Sequence, residues 1–256
     1  MRTDADTTSE NRTKPNDDIL SYDAYSKVLL LGEADFSFSR AFASKFNTRA
    51  QTLCVTASEY GDCCDVANRY YNASQQDLTA SMMSLTNLHP VKEIICGLNC
   101  REISDPACAC QRWNPDSNEW DSNSMFWDED KDQMFDLIIF NFPHSSQAGR
   151  AGKLVRALFK QTRLCIKEGK LPKNVVLEMR LRFIEVDPFR KKNIRSFYNH
   201  EQAAKENGFE LIGSWAGDLE HWESLGYRHK MTKKNESCRD INVGSKVWRW
   251  SYAQYV

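Results

Sequence analysis

Short apolar runs that break off into Gly, Ser or Asn recur along this chain, with helically spaced stretches between them, and few folds accommodate that alternation. The first run is KVLLLG, in which Val28 to Leu31 are continuously apolar and stop at Gly32. A run this short and uniform is the pattern of a strand covered on both faces of a parallel sheet. DFSFSRAFASKF follows, with Phe36, Ala43 and Phe46 spaced as on a helix, so strand, tight turn and helix succeed one another. That is the opening unit of nucleotide-binding α/β folds.

The unit repeats. TLCVTAS (52–58), VKEIICG (91–97), MFDLIIFNF (134–142), NVVLEMRL (174–181) and FELIGSW (209–215) read as further strands, with helical stretches at 62–85, 149–166 and 196–208. SKVWRWSYA (245–253) alternates Val247, Arg249 and Ser251 with Trp248, Trp250 and Tyr252, as a half-exposed strand would, and closes the sheet as one of a hairpin-like pair. The periodicity predicts an α/β, Rossmann-like fold: a mostly parallel seven-stranded sheet with helices on both faces.

A chain of 256 residues can bury one sizeable core, and no window of it is apolar enough to span a membrane. One domain is expected over residues 27–256, preceded by a polar, acidic stretch, 1–26, that reads as a disordered tail. Residues 101–133 hold Trp113, Trp120 and Trp127 among many acids without clear periodicity, and read as a long insertion, either a functional lid or a disordered segment. The beginning of the sequence resembles neither a secretory signal nor a transit peptide, so an intracellular location is the default, and a monomer is the favoured state. The nine cysteines are scattered, which suggests free thiols, and none has the paired spacing of a metal site. A net charge of −1 excludes a protein that coats nucleic acid through bulk charge, so any such role needs local patches.

In open α/β sheets the ligand sits beyond the carboxyl ends of the strands, so the residues that follow each apolar run are the ones to weigh. After the first come Gly32, Glu33, Ala34, Asp35, Phe36, Ser37 and Phe38. Gly32 permits a close turn, Ala34 allows backbone approach, and the next helix presents unpaired N–H groups. Two carboxylates would repel a pyrophosphate, but suit a ligand with an ammonium or sulfonium group, such as S-adenosylmethionine. Alternatively, Glu33 and Asp35 cap the helix. After the second run come Ser58, Glu59, Tyr60 and Asp62, where Glu59 or Asp62 could accept ribose hydroxyls. After the third come Asn99 and Cys100, and Asn99 could pair with an adenine edge or simply shape a turn. The fourth ends in Asn141, Phe142, Pro143 and His144, which is similar to the Asn-Pro-Pro-aromatic signature of amino-group methyltransferases. A planar nitrogen substrate is the physical expectation there.

Together these motifs resemble one family. LLLGEADFSFS is similar to its LLVGEGDFSFS, VTASEYGD to its ATSYD turn, FDLIIFNFPH to its FDxIIFNFPH, and LGYRHKMT (225–232) to its YPGYRHKRT. The family is the Rossmann-like group of eukaryotic ribosomal RNA uridine-N3 methyltransferases, whose domain also occurs in ferredoxin-fold anticodon-binding domain proteins. The resemblance covers about residues 27–234, with Ala34 in place of a family Gly, and Gly61 and Asn99 in place of family Asp residues. It implies a class I S-adenosylmethionine-dependent methyltransferase fold, with an antiparallel seventh strand, acting on large-subunit ribosomal RNA in the nucleolus.

Methylating N3 of uracil requires the imide proton to leave, with donors for the charge that develops on O2 and O4. The candidates are Asn141 as the base-orienting amide, His144 as proton acceptor or second contact, Phe142 as a wall, Pro143 as the rigid link and Asp35 as a competing base. Arg180, Arg182, Lys191 and Lys192 after the fifth run, and Arg228, His229 and Lys230 after the sixth, are candidate RNA contacts, with Tyr227 and Trp222 for stacking. Two alternatives stand beside this reading: a non-catalytic RNA-binding or ribosome-assembly protein that kept the fold, and a methyltransferase of another substrate.

Overall fold

A computed structural model of the chain describes residues 22–33, 36–46, 53–57, 75–127, 134–141, 150–182, 199–217, 219–227 and 245–253. Their elements run in the order β1 (Lys27–Leu31), α1 (Ser37–Phe46), β2 (Leu53–Ala57), α2 (Gln75–Thr86), β3 (Val91–Cys96), β4 (Ala109–Asn114), β5 (Glu119–Met125) and β6 (Leu137–Asn141). There follow α3 (Arg150–Lys167), β7 (Val176–Arg182), α4 (His200–Glu206), β8 (Phe209–Ala216), α5 (Leu219–Ser224) and β9 (Ser245–Tyr252). All the strands join one nine-stranded sheet in the order β5-β4-β3-β2-β1-β6-β7-β9-β8. The central five, from β3 through β7, are parallel. The pairs β3–β4, β4–β5, β7–β9 and β8–β9 are antiparallel.

The apolar runs stand in the middle of the sheet because each is covered twice. Leu29, Leu31, Ile138, Phe140, Leu177 and Met179 point to one face, where Val155, Leu158 and Phe159 of α3 and Ala203 and Ala204 of α4 cover them. Val28, Leu30, Leu137, Ile139 and Val176 point to the other, against Phe38, Phe42 and Phe46 of α1 and Trp222 of α5. Burial on both sides removes the alternation that a half-wet strand would show. Asp136 ties the two central strands together at their starts: its carboxylate accepts the Ser26 N–H at 2.8 Å and the Lys27 N–H at 2.9 Å. Among the described residues no helix is long and apolar enough to cross a membrane.

The structure departs from the sequence expectations in four places. The sheet has nine strands rather than seven, because part of the 101–133 segment forms the β4–β5 hairpin and extends the edge beyond β3. Trp113 and Trp120 are register partners there, with ring centroids 5.4 Å apart, and Arg112 fastens the hairpin through an ion pair to Glu93 of β3 and bonds to the Met125 and Phe126 carbonyls. Its polar residues pair with one another, so no simple apolar period marks it.

Second, β9 is not half-exposed: Val247, Trp248, Arg249 and Trp250 are all buried, with Trp248 and Trp250 in the core on the α3 side and the Arg249 guanidinium over the Tyr22 and Tyr25 rings. Third, residues 22–26, counted above with the tail, pack on the domain, and the Tyr22 ring sits against Phe42, Phe46 and Trp222. Last, Cys96 is disulfide-bonded, whereas Cys100, Cys108, Cys110 and Cys165 are buried thiols. Burial pushes the Cys165 thiol up to about 12 and the Cys108 thiol up to about 11, so neither is a nucleophile at neutral pH.

Candidate active site

From β1 the chain moves outward through β2 to β3, and it returns on the other side of β1 as β6. The crevice beyond the ends of β1 and β6 is therefore the topological switch point, where open α/β sheets receive their ligands. Gly32 and Asn141 are the residues that meet there.

Gly32 has φ 77°, a left-handed conformation that turns the chain sharply off β1. A Cβ on it would stand 2.7 Å from Cε2 of the buried Phe140 ring and 3.3 Å from the Asn141 carbonyl oxygen. Gly32→Ala is expected to cost about 2–3 kcal/mol, of which about 1–2 is the left-handed backbone and the rest displacement of Phe140. Chemical denaturation checks this; a midpoint equal to that of the parent would refute it.

Glu33 is buried, 4% exposed, and its carboxylate is held at both oxygens. Oε2 accepts the Ser39 N–H at 3.0 Å and the Ser39 hydroxyl at 2.9 Å, and Oε1 accepts an N–H of the Asn141 amide at 3.2 Å. Glu33 thus caps the first turn of α1 and also joins it to the end of β6. Phe36 opens that helix: its carbonyl accepts the Arg40 N–H at 3.0 Å, and its own φ is 58°. A left-handed phenylalanine is strained, but its fully buried ring, packed with Ala43, Met82, Leu85 and Ile94, fixes it there. Phe38 is buried on the opposite side, in the α1–α5 cluster. The side chains of Phe36 and Phe38 are therefore core, and only their backbone is available to a ligand in the crevice.

Asn141 ends β6, 8% exposed, with its amide clamped between charges of opposite sign. While Nδ2 faces Glu33, Oδ1 accepts Nη1 of Arg180 at 3.0 Å. Arg180 is its register partner on β7. The Arg180 guanidinium also pairs with Glu178 Oε1 at 2.9 Å and donates from Nη2 to the Tyr22 hydroxyl at 2.6 Å, while that hydroxyl donates to Glu178 Oε1 at 2.7 Å. Glu178 Oε2 takes Nε of Arg249, its register partner on β9, at 2.7 Å. Burial alone would push the Arg249 guanidinium down, but the Glu178 carboxylate together with the Tyr22 and Tyr25 phenols more than offsets this, and the group stands above its ordinary value.

The same geometry overturns several expectations. Arg180 is 2% exposed, stacked over Phe38 and Trp222 at 4.8 and 5.4 Å, and cannot touch RNA. Trp222 is fully buried and Tyr227 nearly so, edge-on to Phe38, which leaves neither ring open for base stacking. Cys100 is fully buried in the core on the α3 side, so its side chain does not line the crevice. Asn99, after the positive-φ Gly97, accepts the Arg101 N–H at 3.1 Å, the turn-shaping alternative. Ser37 is buried at the start of α1. Ala34, Asp35, Ser58, Glu59, Tyr60, Asp62, Phe142, Pro143, His144, Lys191, Lys192, Arg228, His229 and Lys230 lie outside the described residues, as does the side chain of Arg182. Residues that the sequence did not single out, Tyr22, Glu178 and Arg249, complete the cluster. The available signal was a glutamate and an arginine two apart inside an apolar strand, hence on one face.

Strand order, the turn at Gly32 and a polar cluster gathered at the switch point define an α/β protein of the doubly wound type, with its candidate site between β1 and β6. The chain belongs to the BMT5-like family, rRNA (uridine-N3-)-methyltransferase BTM5-like, whose family model matches residues 29–231. It is thus an enzyme of an rRNA-methylating family. No curated protein matches it by sequence. Among solved structures it is similar to the 16S rRNA methyltransferase KamB, at 10% identity over 89% of this chain and 88% of that one, with a TM-score of 0.46. The aminoglycoside resistance methyltransferase NpmB1 is similar at 11% identity over 89% and 87%, with a TM-score of 0.44. The 16S rRNA (adenine(1408)-N(1))-methyltransferase from Catenulisporales acidiphilia is similar at 8% identity over 89% and 87%, with a TM-score of 0.43.

Proposed function

We propose that this protein transfers a methyl group from S-adenosylmethionine to N3 of a uridine in large-subunit ribosomal RNA, in the crevice between β1 and β6. Family membership supports the reaction, and the clamped Asn141 amide at the switch point is the observation that carries its location. Without the β4–β5 hairpin, the strand order is β3-β2-β1-β6-β7-β9-β8 with β9 reversed, which supports a class I methyltransferase arrangement.

The residues present fit the cofactor. The left-handed turn at Gly32 brings backbone to the crevice floor, and the Glu33 carboxylate supplies negative charge beside it for a cationic ligand. S-adenosylmethionine brings an electrophilic methyl group on a sulfonium. Against the uracil, Asn141 retains one Nδ2 proton and one Oδ1 lone pair beyond those already engaged, which suits the O4 and N3–H edge of the base. Loss of the imide proton falls to His144 or Asp35. Lys191, Lys192, Arg228, His229 and Lys230 remain as candidate RNA contacts. The nucleolus is the expected place of action.

Calorimetric titration of the full chain with S-adenosylmethionine, combined with mapping of methylated uridines in ribosomal RNA from cells lacking the protein, tests this. Saturable binding and one missing N3-methyl mark are expected. A folded protein that binds no cofactor, or an unchanged methylation map, would refute it.

A further inference from the structure

The polar row Tyr22, Glu178, Arg180, Asn141, Glu33 and Ser39 lies buried between the sheet and α1, and a site at Asn141 alone does not require so long a row. Apolar replacements of a buried ion pair are often as stable as the pair, so its charges ask for a further account. The charges define the orientation of the Asn141 amide. A guanidinium only donates and a carboxylate only accepts. Rotating the amide by a half turn would put its NH2 against Arg180 and its oxygen against Glu33, turning both contacts repulsive.

We propose that Arg180, gripped by Glu178 and Tyr22, is a positioning residue for the methyl transfer, fixing which way the Asn141 amide faces the base. The inference rests on the proposed place of Asn141 at the reacting uracil. Tyr22 matters because its hydroxyl is the acceptor for Nη2, 2.6 Å away, and a donor to Glu178 in turn. Without that hydroxyl the guanidinium keeps its bonds to Asn141 and Glu178 but loses this restraint on its rotation, and the amide it holds gains freedom. The segment before β1 thereby acts on the reaction without touching substrate.

The test measures single-turnover transfer of a radiolabelled methyl group to ribosomal RNA from cells lacking the protein, using the full chain and the variants Tyr22→Phe, Arg180→Lys, Arg180→Met and Asn141→Ala. Tyr22→Phe is expected to lower the rate constant about tenfold, with RNA KM and cofactor Kd within about twofold of the parent. Arg180→Lys, which keeps one donor for Oδ1, should retain more activity than Arg180→Met. If either Arg180 variant fails to fold, Tyr22→Phe carries the test, since it keeps the ring and its packing. In the Asn141→Ala background Tyr22→Phe should have no further effect beyond about twofold, because the group it steadies is gone. A merely structural Tyr22 would instead slow both backgrounds equally, and that result, or a full rate in Tyr22→Phe, overturns the inference. If Asn141→Ala keeps the full rate, the placement of Asn141 at the base falls and the inference with it. An inactive Asn141→Ala beside a fully active Tyr22→Phe leaves the placement standing and removes the inference alone.

Discussion

Glu178→Ala is expected to destabilise the protein by about 3–5 kcal/mol, the cost of taking one partner out of a buried ion pair. Glu178 is fully buried and engages two guanidiniums and a phenol: Arg180 at 2.9 Å, Arg249 at 2.7 Å and Tyr22 at 2.7 Å. Alanine keeps the strand but withdraws that carboxylate from two cations that remain dehydrated. For a domain of this size the loss corresponds to a fall in melting temperature of roughly ten degrees, measurable by circular dichroism. Glu178→Gln should fall between the two, because the amide oxygen still accepts one bond. A melting temperature within a degree or two of the parent for Glu178→Ala would show that the cluster carries little of the stability.

Asn141→Ala is expected to reduce methyl transfer by roughly a thousandfold while cofactor affinity stays nearly intact, the size of effect seen when a positioned donor is lost from a reacting centre. Stability falls as well, by about 1–3 kcal/mol, since Nη1 of Arg180 loses an acceptor and Oε1 of Glu33 a donor in a buried setting. The two readouts separate because the parent-like cofactor Kd is measured on the fraction that remains folded. If cofactor binding disappears while the fold persists, Asn141 belongs to the cofactor pocket and not to the base.

What was legible in the sequence followed from burial. Runs such as VLLL and LIIF are apolar at every position because both faces are covered, and they located β1 and β6, and with them the switch point. Gly32 was legible because a sharp turn off a buried strand needs a positive φ. Arg180 and Arg249 were not legible. Polar residues that alternate with apolar ones read as a wet face, and only the register that sets Glu178 beside Arg249 and Asn141 beside Arg180 shows that the charges neutralise one another inside. Trp222 and Tyr227 misled for a related reason: aromatic rings near basic residues suit RNA and suit a core equally well, and here they fill the space around Tyr22 and Phe38. The β4–β5 hairpin was hidden because its register partners are tryptophans and polar residues instead of a clean apolar row.

The position of β9 bears on how the protein is made. Synthesis delivers β8 before β9, yet β9 lies between β7 and β8 in the sheet, so β8 has no place to dock until its successor has left the ribosome. Until then β7 exposes an unpaired edge, and Glu178 waits for the arginine that β9 brings. A nascent chain halted before residue 245 would carry that open edge and a Glu178 that has Arg180 but lacks Arg249, a combination that invites association with other chains. The sheet can therefore close only after β9, Ser245–Tyr252, has been made, and chaperone dependence is expected at that open-edged stage of translation.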